Sequence, residues 1–168
     1  MRAALTTADA MRVLGTVMDP EVPVISVVEL GIVRDVAVVD GRVSVTITPT
    51  YSGCPAMREI ESDIVRALAD AGATDVAVVT VHSPPWTTDW IGADAREKLR
   101  AFGIAPPGAA QAATSDALVT LARARTAVRC PYCGSHNTEL RSEFGSTACK
   151  AIHMCRACSQ PFDEFKAF

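Results

Sequence analysis

The residues best suited to chemistry crowd one end of the chain. Cys130-Pro131-Tyr132-Cys133 and Cys155-Arg156-Ala157-Cys158 are two CxxC units, separated by Gly134 to Met154. Two residues between thiols let a tight turn aim both sulfurs at one ion, and two such knuckles complete a tetrahedral four-sulfur site. The gap is slightly longer than in the usual double-CxxC zinc pattern. Zinc is the first expectation for Cys130, Cys133, Cys155 and Cys158, with iron on the same four thiolates as the alternative. Such a site acts as a structural staple. A redox CxxC is the weaker reading, because a thioredoxin-type motif sits beside a βαβ pattern. His136 and His153 lie close by, but four cysteines already satisfy the ion. Cys149 reads either as a small buried apolar residue or as a spare ligand or delivery thiol. Phe162, Phe165 and Phe168 cover the small core or offer an apolar docking edge to a partner.

A sixth cysteine stands apart. Cys54 lies in Tyr51-Ser52-Gly53-Cys54-Pro55-Ala56. Pro55 suits the first turn of a helix, which puts the Cys54 sulfur at or near the N-cap. Free amides and the positive end of the helix dipole favour a thiolate there. The residue is a candidate nucleophile or soft-metal ligand, with His82 able to approach from the end of a later strand, or else a packed cysteine. Asp19 and Glu21 occupy a Pro-flanked loop and read as a cap and a solvated charge, or as metal-binding groups near a reactive thiol. Trp86 and Trp90 are the only tryptophans. They cover the core or form an aromatic binding surface.

The elements that must hold these groups follow from periodicity. Thr6 or Thr7 caps a first helix with Asp9 in its first turn. Met11, Leu14 and Met18 mark its face, and Asp19-Pro20 ends it. Asp19–Glu29 is read as an extended loop. Ile32–Val39 and Arg42–Thr48 are strands joined by Asp40-Gly41, a strong hairpin signal. A second helix spans Ala56–Ala71, with Met57, Ile60, Ile64 and Leu68 as its stripe and Gly72 as its stop. Val76–Val81 reads as a buried strand. A loop with both tryptophans follows, then a short helix near Asp94–Phe102. The order αββαβα makes a small three-stranded sheet with helices, an α+β fold. Residues 1–104 form this first domain, residues 105–128 a flexible linker and residues 129–168 a metal-stapled ribbon, too small to hold a core unaided.

Composition narrows the function classes. The chain has 168 residues, 49% of them hydrophobic and 21% charged, with a formal net charge of -3. Charges in the ribbon nearly balance, so no basic stripe for nucleic acid is present. No apolar run approaches the roughly 18 residues of a membrane span, and the N-terminus lacks a signal-peptide pattern. A cytoplasmic protein with reduced thiols is expected, and six cysteines there point to metal or thiol chemistry before disulfides.

Asp19-Pro20-Glu21-Val22-Pro23, then Glu29-Leu30-Gly31-Ile32-Val33 and Gly53-Cys54-Pro55, resemble the motifs of the MIP18-like (domain of unknown function 59) iron–sulfur assembly family. Pro84-Pro85-Trp86-Thr87-Thr88-Asp89-Trp90-Ile91 and the ribbon with Phe144–Lys150 and Pro161–Lys166 resemble the PaaD branch. The resemblance implies an α+β MIP18-like domain followed by a C-terminal zinc ribbon. It also implies a non-catalytic accessory or maturation factor of the phenylacetyl-CoA epoxidase system of aerobic phenylacetate catabolism. The partners would be the di-iron oxygenase or the iron–sulfur flavin reductase of that system, and a scaffolding subunit without metal transfer is the alternative. Cys54 then matches the family's proposed cluster or metal thiol, holding iron or an iron–sulfur cluster transiently and bridging two subunits of a homodimer. Asp19 matches its acidic loop residue. Cys130, Cys133, Cys155 and Cys158 match the zinc-ribbon ligands, and Trp86, Trp90, Phe162 and Phe165 are candidates for partner docking.

Overall fold

The computed structural model describes residues 5–108 and 127–167. These fall into two compact units, Met1–Lys98 and Leu99–Phe168. No helix among the described residues is long and apolar enough to cross a membrane.

The first unit opens with α1 (Thr7–Leu14). Thr6 is its N-cap, and the Thr6 hydroxyl and Asp9 carboxylate satisfy each other's backbone amides in a capping box. The helix is shorter than the expected stop at Asp19-Pro20. The Gly15 amide closes it on Met11 and Val13. The buried face is Ala10 and Leu14, one turn apart, while Met11 and Met18 are exposed. The Met11–Leu14–Met18 stripe is therefore corrected, because Met18 lies beyond the helix.

The segment after α1 is a folded turn rather than an extended loop. Asp19 accepts hydrogen bonds at Oδ1 from the amides of Glu21 and Val22, both at 2.8 Å, and its own amide donates to Ile25. Ser26 and Glu29 then form a second reciprocal box. The Ser26 amide donates to Glu29 Oε2, and the Glu29 amide donates to the Ser26 hydroxyl. Val22, Ile25, Val27, Leu30 and Ile32 are buried between these polar closures.

Strands β1 (Val33–Val39) and β2 (Arg42–Ile47) form an antiparallel hairpin. Asp40 and Gly41 both take positive φ, at 50° and 78°, as a two-residue turn of primed type requires. Helix α2 (Met57–Asp70) crosses over to β3 (Asp75–Thr80), which pairs parallel to β2. The strand order is β1-β2-β3. Val36, Val43, Val45 and Ile47 point to the side on which α1 and α2 pack, where Ile60, Ile64 and Leu68 meet them. The opposite face is bare, with Ala37, Ser44 and Ala77 in one exposed row.

The expectation of a buried third strand is corrected here. β3 is an edge strand, and none of its residues is fully buried. Its apolar run is continuous, but only the Val76 and Val78 side faces a helix. A 3₁₀ turn (Thr88–Trp90) and α3 (Ala93–Ala101) follow.

The second unit holds a four-stranded sheet in the order β4-β7-β6-β5. Its strands are β4 (Ile104–Ala105), β5 (Thr138–Ser142), β6 (Lys150–Cys155) and β7 (Pro161–Phe165). The structure divides the chain earlier than residue 104. Ile104 and Ala105 pair in parallel with Asp163 and Glu164, so the start of the expected linker is part of the ribbon sheet. Val128, at its other end, packs against the ribbon core. A two-residue strand has no periodicity of its own, and its partner lies far away in sequence. The linker residues 109–126 and Phe168 lie outside the described residues.

Candidate metal centres

The two knuckles of the second unit are built alike. In the first, Gly134 donates its amide to Cys130 O at 3.0 Å, and the Cys130 amide donates to Ser135 O at 2.9 Å. In the second, Ser159 donates to Cys155 O at 2.9 Å, and the Cys155 amide donates to Gln160 O at 2.9 Å. Gly134 and Ser159 hold the equivalent left-handed position, with φ of 74° and 59°. Glycine takes that conformation without cost and serine does not. Sequence reasoning misses Ser159. The signal that could have found it is its offset from Cys155, equal to that of Gly134 from Cys130.

The four sulfurs converge. Cys130 Sγ and Cys158 Sγ are 3.8 Å apart, Cys133 Sγ and Cys155 Sγ are 3.5 Å apart, and all four lie within 4.8 Å of one another. A tetrahedral ion with metal–sulfur bonds of about 2.3 Å sets its sulfurs about 3.8 Å apart. The donor set therefore fits a four-coordinate soft metal, and this is a four-cysteine metal site. Cys130 and Cys155 are buried with Ala105 and Phe162, against which Val128 and Cys158 pack, while Cys133 is exposed. The apolar side fixes the sulfurs and the exposed side admits the ion.

Backbone donors prepare the thiols for ionisation. The Cys158 amide, then the Ala157 amide and the neighbouring sulfurs, lower Cys155 to about 7, against desolvation. At Cys158 the Gln160 amide pulls down, but desolvation and the three surrounding sulfurs prevail and push that thiol up to about 12. Cys133 is also raised: the Ser135 amide and Cys158 lower it, but desolvation with Cys155 and Cys130 outweighs them. One thiolate forms easily near neutral pH, and the others ionise only when a cation stabilises their crowding.

The other residues flagged from sequence in this unit lie outside the cluster. His136 bonds through Nδ1 to Ala127 O at 3.3 Å. His153 is buried, pairs through Nε2 with Glu164 at 2.7 Å and stacks on Phe162. Cys149 is buried, with its sulfur 3.0 Å from the Thr147 hydroxyl. Phe162 and Phe165 are 4% and 1% exposed, so they form ribbon core and present no docking edge.

In the first unit, Cys54 is partly exposed in the loop between β2 and α2. Helix α2 begins later than expected. Its N-cap is Ala56, which makes no side-chain cap, and the Met57 amide donates to Cys54 O at 3.3 Å. Cys54 thus opens a turn two residues before the N-cap, with Pro55 inside that turn rather than in the helix. Gly53, beside it, has φ of 83° and open space where a Cβ would stand.

Topology gathers the flagged loops at one end. β2 and β3 are parallel, so the loop carrying Cys54 and the segment carrying His82 both leave from their carboxyl ends. β1 is antiparallel, so the turn from Asp19 to Ile32 enters at that same end, where the Thr48 amide bonds to Ile32 O. Open α/β sheets hold their ligands outside the carboxyl ends of strands. Asp19, however, spends Oδ1 on the Glu21 and Val22 amides and is buried. Among the described residues, the ribbon cluster is the one group of three or more such ligands that converges.

The tryptophans divide. Trp86 is 5% exposed and donates its indole N–H to Leu30 O at 3.0 Å, so it cannot serve as a docking surface. Trp90 is half-buried under the Arg34 guanidinium, 3.5 Å from its ring centroid. It packs so close to Gly31 that a Cβ there would stand 2.8 Å from its own. The Leu30-Gly31 pair is thus a seat for both indoles.

An α+β domain with a lone cysteine loop, followed by a four-cysteine ribbon, defines a class: an assembly-type domain joined to a zinc ribbon. Comparison with known proteins agrees for both parts. The family model described as iron–sulfur cluster assembly protein matches residues 7–81, and the PaaD zinc beta ribbon domain matches residues 114–166. The chain belongs to the PaaD family. It is 45% identical over 153 residues to an Escherichia coli protein provisionally named as a component of 1,2-phenylacetyl-CoA epoxidase, covering 91% of this chain and 88% of that one. It is 36% identical to a Porphyromonas gingivalis Fe-S protein maturation auxiliary factor, over 56% of this chain and 90% of the relative. Among solved structures, a domain of unknown function 59 from Bacillus anthracis matches with a TM-score of 0.53 and 29% identity, over 55% of this chain and 90% of that one. A conserved Thermotoga maritima protein matches at 0.51 and 34%, over 59% and 98%.

Proposed function

We propose that this protein is a non-catalytic maturation factor for a metal centre of a phenylacetyl-CoA epoxidase system, with Cys54 carrying iron or an iron–sulfur cluster as transient cargo. The reading is carried by the position of Cys54, a partly exposed thiol at the carboxyl end of β2 in a domain matched by the iron–sulfur assembly family. One thiolate per chain suits transfer rather than storage. The remaining ligands come from outside the chain, because no further pair of donors converges on Cys54 among the described residues. Asp19 acts here by holding the adjoining turn rather than as a metal ligand. Zinc at Cys130, Cys133, Cys155 and Cys158 staples the ribbon, with all four positions closed to substrate. The partner is the di-iron oxygenase or the iron–sulfur flavin reductase, in a cytoplasm that keeps the thiols reduced.

Anaerobic reconstitution with iron and sulfide tests this. Wild type is expected to take up iron beyond the ribbon metal, and Cys54→Ala to take up none while keeping its zinc. Equal iron uptake by the variant would sink the proposal. A scaffolding role is the second reading, favoured by the Escherichia coli relative's name as an epoxidase component. In a strain lacking the protein, Cys54→Ala would then restore full growth on phenylacetate.

A further inference from the structure

β3 has the composition of a strand covered on both sides and the surroundings of an edge. It has no neighbour beyond β2 in the sheet order. Val79 is 48% exposed, and Ala77 beside it is exposed too. Natural edges are blunted by lysine, proline, bulges or a covering loop. β3 has neither lysine nor proline, and its pairing to β2 is regular from Asp75 to Thr80. An apolar, regular edge of this kind is a template for another strand.

Helix α2 extends the same edge upward. The Thr80 hydroxyl donates to Glu61 at 3.0 Å, which fixes the side of α2 that overhangs β3. Val65, one turn on from Glu61, is 40% exposed on that flank, and Arg58 lies one turn before it. The overhang and the strand together make one continuous surface.

We propose that this surface binds a second copy of the chain, joining the two β3 strands antiparallel into a six-stranded sheet with the α2 flanks packed across the two-fold axis. Charge selects this occupant. Two-fold symmetry runs the Asp75 end of each strand beside the Thr80 end of the other, where Arg58 lies. Asp75 and Arg58 are exposed, and neither has an ion-pair partner among the described residues. The pairing supplies each with the opposite charge twice over. Glu61 at that end is already engaged by Thr80. Val65 meets its own copy near the axis.

The geometry has a consequence for cargo. Antiparallel strands send the carboxyl ends of the two sheets in opposite directions. The two Cys54 loops then stand at opposite ends of the dimer, so each thiol serves its own client rather than bridging one cluster between subunits. The surface does not depend on the iron reading, and its test involves no iron.

Analytical ultracentrifugation of the full chain provides the test. Wild type is expected to be a dimer, and Val79→Lys a monomer with an unchanged circular dichroism spectrum. Asp75→Arg and Arg58→Asp are each expected to weaken the dimer at least about tenfold, and the double swap to restore it. A monomeric wild type, a dimeric Val79→Lys, or single swaps without effect would overturn the proposal.

Discussion

Gly31 shows how much of a motif can be steric. Its φ is 76°, and a Cβ would come within 2.8 Å of the Trp90 Cβ. Gly31→Ala must therefore both strain the backbone and displace the indole. A destabilisation of roughly 2–4 kcal/mol is expected from left-handed strain and overpacking together. Urea unfolding followed by tryptophan fluorescence measures it, and a loss below half of the lower figure would mean that the loop simply moves aside. The position is legible as a glycine in the sequence, but the reason is not, because Trp90 approaches from far along the chain. The same is true of Cys54. Its isolation and its neighbours Gly53 and Pro55 are visible in the sequence, whereas the turn that precedes α2 is set by tertiary hydrogen bonds.

At the scale of elements, the turn before β1 is held by charge as well as packing. Burial alone would raise the Glu29 carboxyl, but the Lys98 ammonium, the Ser26 amide and the Ser26 hydroxyl together hold it below its usual 4.5. Lys98 Nζ stands 2.5 Å from Glu29 Oε1. The folded state thus binds this proton less readily than the unfolded chain does. The stabilisation is fully present above about pH 4.5 and is lost as pH falls through the lowered folded value. Glu29→Gln should cost about 0.5–1 kcal/mol at neutral pH, since the pair is partly exposed, and should flatten the acid limb of the stability curve. Denaturant midpoints measured across that range check it, and a variant with the wild-type slope would show that Glu29 does not titrate on unfolding. The Ser26–Glu29 spacing is a sequence-level capping signature. The hairpin and the stripe of α2 are equally readable. β3 misleads in sequence because an unbroken apolar run looks the same in a buried strand and in an edge awaiting a partner.

For the whole molecule, metal removal should separate the two units. The ribbon sheet rests on four sulfurs and a small apolar cluster around Phe162, so chelation should melt it. The first unit, with Leu14, Ile47, Ile60, Ile64 and Leu68 in a core of its own, should persist. Hydrogen exchange is the check: amides of β6 and β7 lose protection in chelator while those of α2 keep it. Equal loss in both units would refute the separation. The sequence by itself determined the αββαβ order, the Asp40-Gly41 hairpin and the four metal thiols, because helical period, turn chemistry and CxxC spacing are local properties. Only the tertiary structure decided that Ile104 and Ala105 join the ribbon, that Trp86, Phe162 and Phe165 are core, and that β3 stands at an edge. Those outcomes depend on which distant backbone groups find each other, and nothing within a short window of residues encodes the identity of the partner.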